Sequence, residues 1–245
     1  MGRIRILGLL VFLAAAAALP GASPELAPKP HEVLARYLEA GPQAKPWTVE
    51  TVEVEASIPK LKERGHLRAI RRLLLGRPEF QMIAMEGDRT VRQQVIARYL
   101  SAEIEAAGLP PASVAIDSGN YKFRFMGSIS DGDALAYIFE ITPRKKRAGL
   151  IRGQIWIDSA TALVRRQTGY LVRSPSIFIR KLGITRDTSI RAGLPYERKT
   201  HLEIETRLVG RAELTVTEQP YSGDAGENAG DQAASAAAAA RPYLP

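Results

Sequence analysis

The chain has 245 residues, 45% of them apolar and 24% charged, which is enough for one large domain or two small ones with a sizeable core. It contains no cysteine, which excludes disulfides, thiolate metal sites, cysteine catalysis and an acylated N-terminal cysteine. Its three histidines, His31, His66 and His201, lie far apart in sequence, which counts against a zinc site or a His-dependent hydrolase, and the formal charge is +8.

Arg3 and Arg5 precede an uncharged run from Ile6 to Leu19, after which comes Pro20-Gly21-Ala22-Ser23-Pro24. A basic start, an apolar stretch of about 14 residues and a small-residue exit predict a cleaved secretory signal peptide over residues 1–23. The run is shorter than the roughly 20 apolar residues that span a bilayer. The mature protein is therefore expected in an exported compartment. Val33, Leu34, Tyr37 and Leu38 share one face of a helix over residues 31–40, which Gly41-Pro42 ends.

From Trp47 onward the pattern has mostly period two. Val52, Val54, Ala56 and Ile58 alternate with Glu53, Glu55 and Ser57; residues 66–75 fit a helix or a strand, and Gly65 before them with Gly76-Arg77-Pro78 after them favours a strand in a hairpin with residues 79–85. Residues 90–107 then switch to helical spacing, with Val91, Val95, Ile96, Tyr99, Leu100, Ile104 and Ala107 on one side. Gly87-Asp88 supplies a stop and a possible N-cap, and Thr90 and Gln93 have the spacing of a capping box. Glu103 falls on that apolar side, where an unpaired charge costs several kcal/mol. Two readings stay open: it points into a partly polar cavity, or it pairs with a strand arginine such as Arg71 or Arg166.

The later strands carry Tyr121, Phe123 and Phe125; Leu135, Tyr137, Phe139 and Ile141; Ile151, Gly153, Ile155 and Ile157; Leu202, Ile204, Thr206 and Leu208; and Leu214 with Val216. Turn chemistry separates them at Asp117-Ser118-Gly119-Asn120, at Asp131-Gly132-Asp133 and at Gly210. Arg144-Lys145-Lys146-Arg147, after Pro143, forms a basic hairpin loop. It either touches anionic headgroups or an acidic partner, or simply keeps a sheet edge soluble. Glu53, Glu55, Glu203 and Glu205 lie on polar strand faces, as solvated partners for cross-strand arginines. Residues 221–245 are Gly, Asp, Asn, Gln and an alanine run, a composition expected to stay disordered. The leader contributes +2 and the tail −2, so the whole +8 falls on the intervening domain and favours anionic partners; nucleic acid is not expected behind a signal peptide.

The expected fold is α+β: one domain over residues 24–220, made of a single large curved antiparallel sheet of about ten strands with one or two helices covering its concave face. No Gly-rich phosphate loop, G-x-S-x-G elbow or H-E-x-x-H motif appears, so neither an enzyme nor a cofactor is expected. Several stretches carry a family likeness. Val52-Glu53-Val54-Glu55-Ala56 is similar to a first strand, Gly65-His66-Leu67 to a second strand's Gly-x-Leu start, and Gly87-Asp88 to the turn after the third. Tyr137-Ile138-Phe139-Glu140-Ile141-Thr142-Pro143 followed by Gly153-Gln154-Ile155-Trp156-Ile157-Asp158 is similar to a late hairpin. Over residues 31–219 the chain thus resembles the periplasmic lipoprotein-carrier superfamily, the LolA/LolB/RseB-like half-barrels. The resemblance implies an unclosed barrel cupping an apolar cavity that shields lipid or lipoprotein acyl chains. Val54, Tyr99, Glu103, Phe123, Phe125, Tyr137, Phe139, Ile155, Ile157 and Ile204 are the expected lining. The alternative function is a periplasmic sensor or scaffold that binds a protein partner.

Overall fold

The computed structural model describes residues 27–41, 47–131, 134–174, 179–207 and 210–222. The expected leader and all but two residues of the expected tail lie outside them, as do Gly132 and Asp133. Helix α1 (Pro30–Glu39) is followed by β1 (Val49–Ile58), β2 (Glu63–Leu74) and β3 (Arg77–Gly87). A helical stretch then runs without a break through α2 (Arg89–Val91), a π-helical turn (Arg92–Ile96) and α3 (Ala97–Ala107), and a short α4 (Pro111–Val114) follows. Seven strands complete the chain: β4 (Tyr121–Asp131), β5 (Ala134–Pro143), β6 (Ile151–Asp158), β7 (Val164–Leu171), β8 (Ile179–Arg191), β9 (Leu194–Thr206) and β10 (Arg211–Pro220).

All ten strands join one antiparallel sheet in the order β3-β2-β1-β10-β9-β8-β7-β6-β5-β4. β3 and β4 are its two free edges, so the barrel is unclosed. These edge strands are consecutive in the chain, and the helical segment between them packs over β1, β2 and β3 at one side of the concave face. The period-two code explains the curvature: β1 buries every second residue, Glu50, Val52, Val54, Ala56 and Ile58. Bulges at Arg68/Ala69, Phe125/Gly127, Trp156/Ile157 and Ser189/Ile190 add local bend and twist. Gly153 and Gly169 face each other across β6 and β7. A Cβ on Gly153 would run into the Thr168 carbonyl and Gly169 Cα, so only two glycines permit this close approach.

The register aligns one concave row across most of the sheet: Gly65, Ala56, Leu214, Leu202, Ile184, Gly169, Gly153, Ile141 and Phe123. Two separate cores pack on this face. The first joins Val52, Val54, Ile58, Leu67 and Leu214 to Val91, Val95 and Ile96 of the helical segment. The second joins Tyr121, Phe139, Ile141, Ile155 and Ile157 to Val33 and Tyr37 of α1. Each fully buried large apolar side chain contributes about 1.5–3 kcal/mol. α1 is further held by Tyr37, whose hydroxyl donates to the Ile116 carbonyl (2.9 Å), and by Arg36, which donates to the Ser159 carbonyl (2.5 Å). At the start of the long helical segment, Asp88 and not the Thr90/Gln93 pair does the fastening: its carboxylate accepts the Arg64 backbone N–H at 2.8 Å. The convex face is polar, with ion pairs such as Arg68–Glu53 (3.6 Å) and Arg211–Glu203 (3.2 Å). Exposed pairs of this kind add little stability.

Candidate binding site: an apolar trough beside a buried ion network

Between the two cores lies the middle of the sheet, which neither helical cover seals. Ile151, Leu171, Leu182 and Ile184 point to the concave side, are half-buried and belong to neither core. Leu202 and Ile204, also half-buried, border the first core. With Gly153 and Gly169, whose missing side chains leave bare backbone, they make a shallow apolar trough. Toward the other end of the same strands the concave face turns polar: Thr200, Arg186 and Gln167 occupy adjacent register positions on β9, β8 and β7. The trough is therefore apolar at the end where β6 begins and polar at the end where β8 turns into β9.

The polar end continues into an ion network beneath the long helical segment. Arg71 on β2 is 1% exposed, and Glu50 on β1 and Glu218 on β10 are nearly as buried. Arg71 Nε binds Glu50, its Nη2 contacts Glu218 at 2.6 Å, and its Nη1 reaches Glu103 on α3 at 3.3 Å. Arg198 on β9 approaches Glu218 at 3.9 Å. Burial works against the Arg71 charge, but Glu218, Glu50 and Glu103 outweigh it and raise its pKa above the ordinary arginine value. Arg198 moves the other way, because burial and the charge of Arg186 outweigh its carboxylate neighbours. So Glu103 meets Arg71, one of the two arginines considered for it. Arg166 lies on the opposite face, paired with Asp187 and stacked over Trp156 at 4.9 Å.

The expected lining residues separate into three groups. Val54, Ile155 and Ile157 are fully buried and Tyr137 and Phe139 nearly so, all within the two packed cores. Tyr99, Phe123 and Ile204 are half-buried at the borders of these cores, facing the trough region. Phe125, on edge strand β4, is 48% exposed and packs against the rings of Tyr137 (6.1 Å) and Phe139 (5.7 Å). The reading from sequence missed Leu182, Ile184, Leu171 and Ile151, although the β6 alternation already put Ile151 in phase with Ile155 and Ile157. Arg144, Lys145, Lys146 and Arg147 are exposed on the β5–β6 loop, but Arg144 and Arg147 are fastened to the loop before β4. Among the described residues no cluster of three or more His, Asp or Glu is placed to hold a metal, and no helix is long and apolar enough to cross a membrane.

Three tyrosines on the concave side are shifted upward. Burial, then Glu103 and Glu218, raise the Tyr99 phenol well above its ordinary value. Burial, Tyr121 and Asp117 raise Tyr37, and burial raises Tyr121 despite the Ile151 N–H that its oxygen accepts. A phenol whose folded pKa is raised keeps its proton after the unfolded chain has lost its own. Stability from these groups is therefore full below about pH 10 and falls as pH rises further. Absorbance titration is expected to show the phenolates of these three appearing only as the protein unfolds. Tyr99→Phe should flatten the alkaline loss, and an unchanged slope would contradict the assignment.

The geometry defines a class, an α+β unclosed half-barrel with helices over its concave face. Comparison with solved structures finds similar chains at low sequence identity. One is the LolA superfamily protein of Nitrosomonas europaea (10% identity, 79% of this chain and 94% of that one, TM-score 0.36). Another is an outer-membrane lipoprotein-sorting protein domain of Vibrio parahaemolyticus (11% identity, 84% and 96%, TM-score 0.39). A third is MucB in its complex with MucA(peri) (11% identity, 76% and 91%, TM-score 0.23). No protein-family model matches the sequence, and a search of the curated proteins finds no match.

Proposed function

We propose that the protein is an exported, periplasmic carrier that shelters an acyl chain of a lipid or lipoprotein in the trough between its two cores, and that it works by binding and not by catalysis. One observation carries this reading. The concave side holds two separately packed cores, and between them Ile151, Leu171, Leu182 and Ile184 are left half-buried around the Gly153–Gly169 pair. Each methylene taken out of water there is favourable by about 0.8 kcal/mol, so half a dozen amount to roughly 5 kcal/mol. Val54, Phe139, Ile155 and Ile157 form the packed walls of such a site, and Tyr99, Phe123 and Ile204 its margins. Phe125 extends the apolar surface to the open edge. A fluorescent fatty-acid analogue is expected to bind with a Kd on the order of 0.2 mM and to be displaced by unlabelled palmitate. Absence of displaceable binding would contradict the proposal.

A second reading has its own observation. Phe125, Met126 and Ile129 are exposed on the free edge strand β4, whose Tyr121 end adjoins the basic loop at Arg144–Arg147. An unpaired edge with apolar side chains accepts a strand from another chain. In this reading the half-barrel is a sensor or scaffold that binds an acidic protein segment along β4. Capture of a partner that protects β4 amides from hydrogen exchange, with no acyl binding, would favour it over the carrier.

A further inference from the structure

The loop from β5 to β6 is more than a basic patch. It closes over the segment before β4 to form a depression of about 290 Å³ lined by Asp117, Gly119, Asn120, Arg144, Lys145 and Arg147. Its cations are held in place. Arg144 Nε donates to the carbonyls of Ser118 (2.9 Å) and Tyr121 (3.1 Å), and Arg147 Nη2 donates to Asn120 Oδ1 (2.5 Å). Asn120 is itself immobilised. It is 8% exposed, its Nδ2 donates to the carbonyls of Ala112 (2.8 Å) and Ala115 (2.9 Å), and its backbone N–H is accepted by Asp117 Oδ1 (2.8 Å). These bonds orient two guanidinium groups and leave Arg144 Nη1 and Nη2, Arg147 Nε and Nη1 and the Lys145 ammonium with no protein acceptor among the described residues. Three cations face one carboxylate, Asp117, which is engaged by the Asn120 N–H.

Convergent, pre-oriented guanidinium donors around a small depression match the oxygens of a tetrahedral anion, which arginine binds in a two-pronged manner. We propose that this pocket is a binding site for a phosphate group. The pocket stands at the start of β6, whose first residue, Ile151, floors the apolar end of the trough. A phosphate carried on an amphiphile would place its tail there. That last identification, a lipid headgroup and not a free anion, rests on the acyl-chain reading; the phosphate site itself does not.

Calorimetry of the intact protein with inorganic phosphate, and separately with a short-chain phosphatidic acid below its micellar concentration, tests both. The Lys145 side chain makes no bond among the described residues, so Lys145→Gln preserves the fold; Arg147→Gln removes a guanidinium donor and is checked by its melting temperature. Binding of either probe that weakens about tenfold or more in both variants supports the site. If both probes bind equally well, the ligand is a phosphate group alone; if only the phosphatidic acid binds, it is a headgroup. Binding that neither variant weakens, or no binding of either probe, overturns the proposal. Loss of fatty-acid binding with intact phosphate binding would sink the carrier reading and leave this site standing.

Discussion

Arg71→Met is expected to lower folding stability by about 3–5 kcal/mol, a larger loss than any other single substitution in the ion network. The reason is asymmetric burial. Arg71 binds Glu50 and Glu218 at once, and all three are nearly sealed from water. Removing the guanidinium leaves two buried carboxylates without the cation that holds both, in surroundings where water cannot replace it. Glu103→Gln is a contrasting change. Its side chain is 27% exposed, its contact with Arg71 is longer, and its loss is expected to cost under about 1 kcal/mol. Thermal unfolding should show Arg71→Met melting roughly 10 °C below the wild type, and Glu103→Gln only a few degrees below. Equal small effects would mean that the network is solvated and contributes little to the fold.

The second large effect concerns binding. Ile184→Glu puts a carboxylate on the trough floor, between Leu202 and Gly169 in the register, where it must be desolvated against any hydrocarbon guest. Acyl-chain affinity is expected to fall by about tenfold or more, with stability changed by about 1 kcal/mol because Ile184 is only half-buried. Thr185→Glu, one residue along and on the opposite face, is the matched control and should bind as the wild type does. If both variants bind alike, the guest does not lie on the concave face of β8.

Period-two alternation made most of the sheet legible, because each strand buries one face and a one-residue slip would invert it. The helices over residues 31–40 and 90–107 were equally readable from their spacing. Strand order was not: nothing in the alternation says that β1 pairs with β10, which places the chain's first and last strands side by side. The network was half visible. Glu103 on an apolar helix face demanded a partner, and Arg71 was one of those considered. Glu50 precedes Val52 by two residues and Glu218 follows Val216 by two, so each stands in phase with buried neighbours. Those were readable signals of buried charge that went unused. The trough was least legible, because whether an apolar strand face is packed or left open depends on how far each helix reaches across it. Val54, Ile155 and Ile157 have the same pattern as Ile184, yet they lie inside cores and Ile184 does not.

Photolabelling with a diazirine-bearing palmitate analogue, followed by peptide mapping, tests the trough most directly. The account predicts that labels concentrate on concave positions of β7 to β9, at Leu171, Ile184 and Leu202, and disappear when excess palmitate competes. Labels confined to the convex face or to the free strand edges, or labelling that palmitate does not reduce, would contradict it.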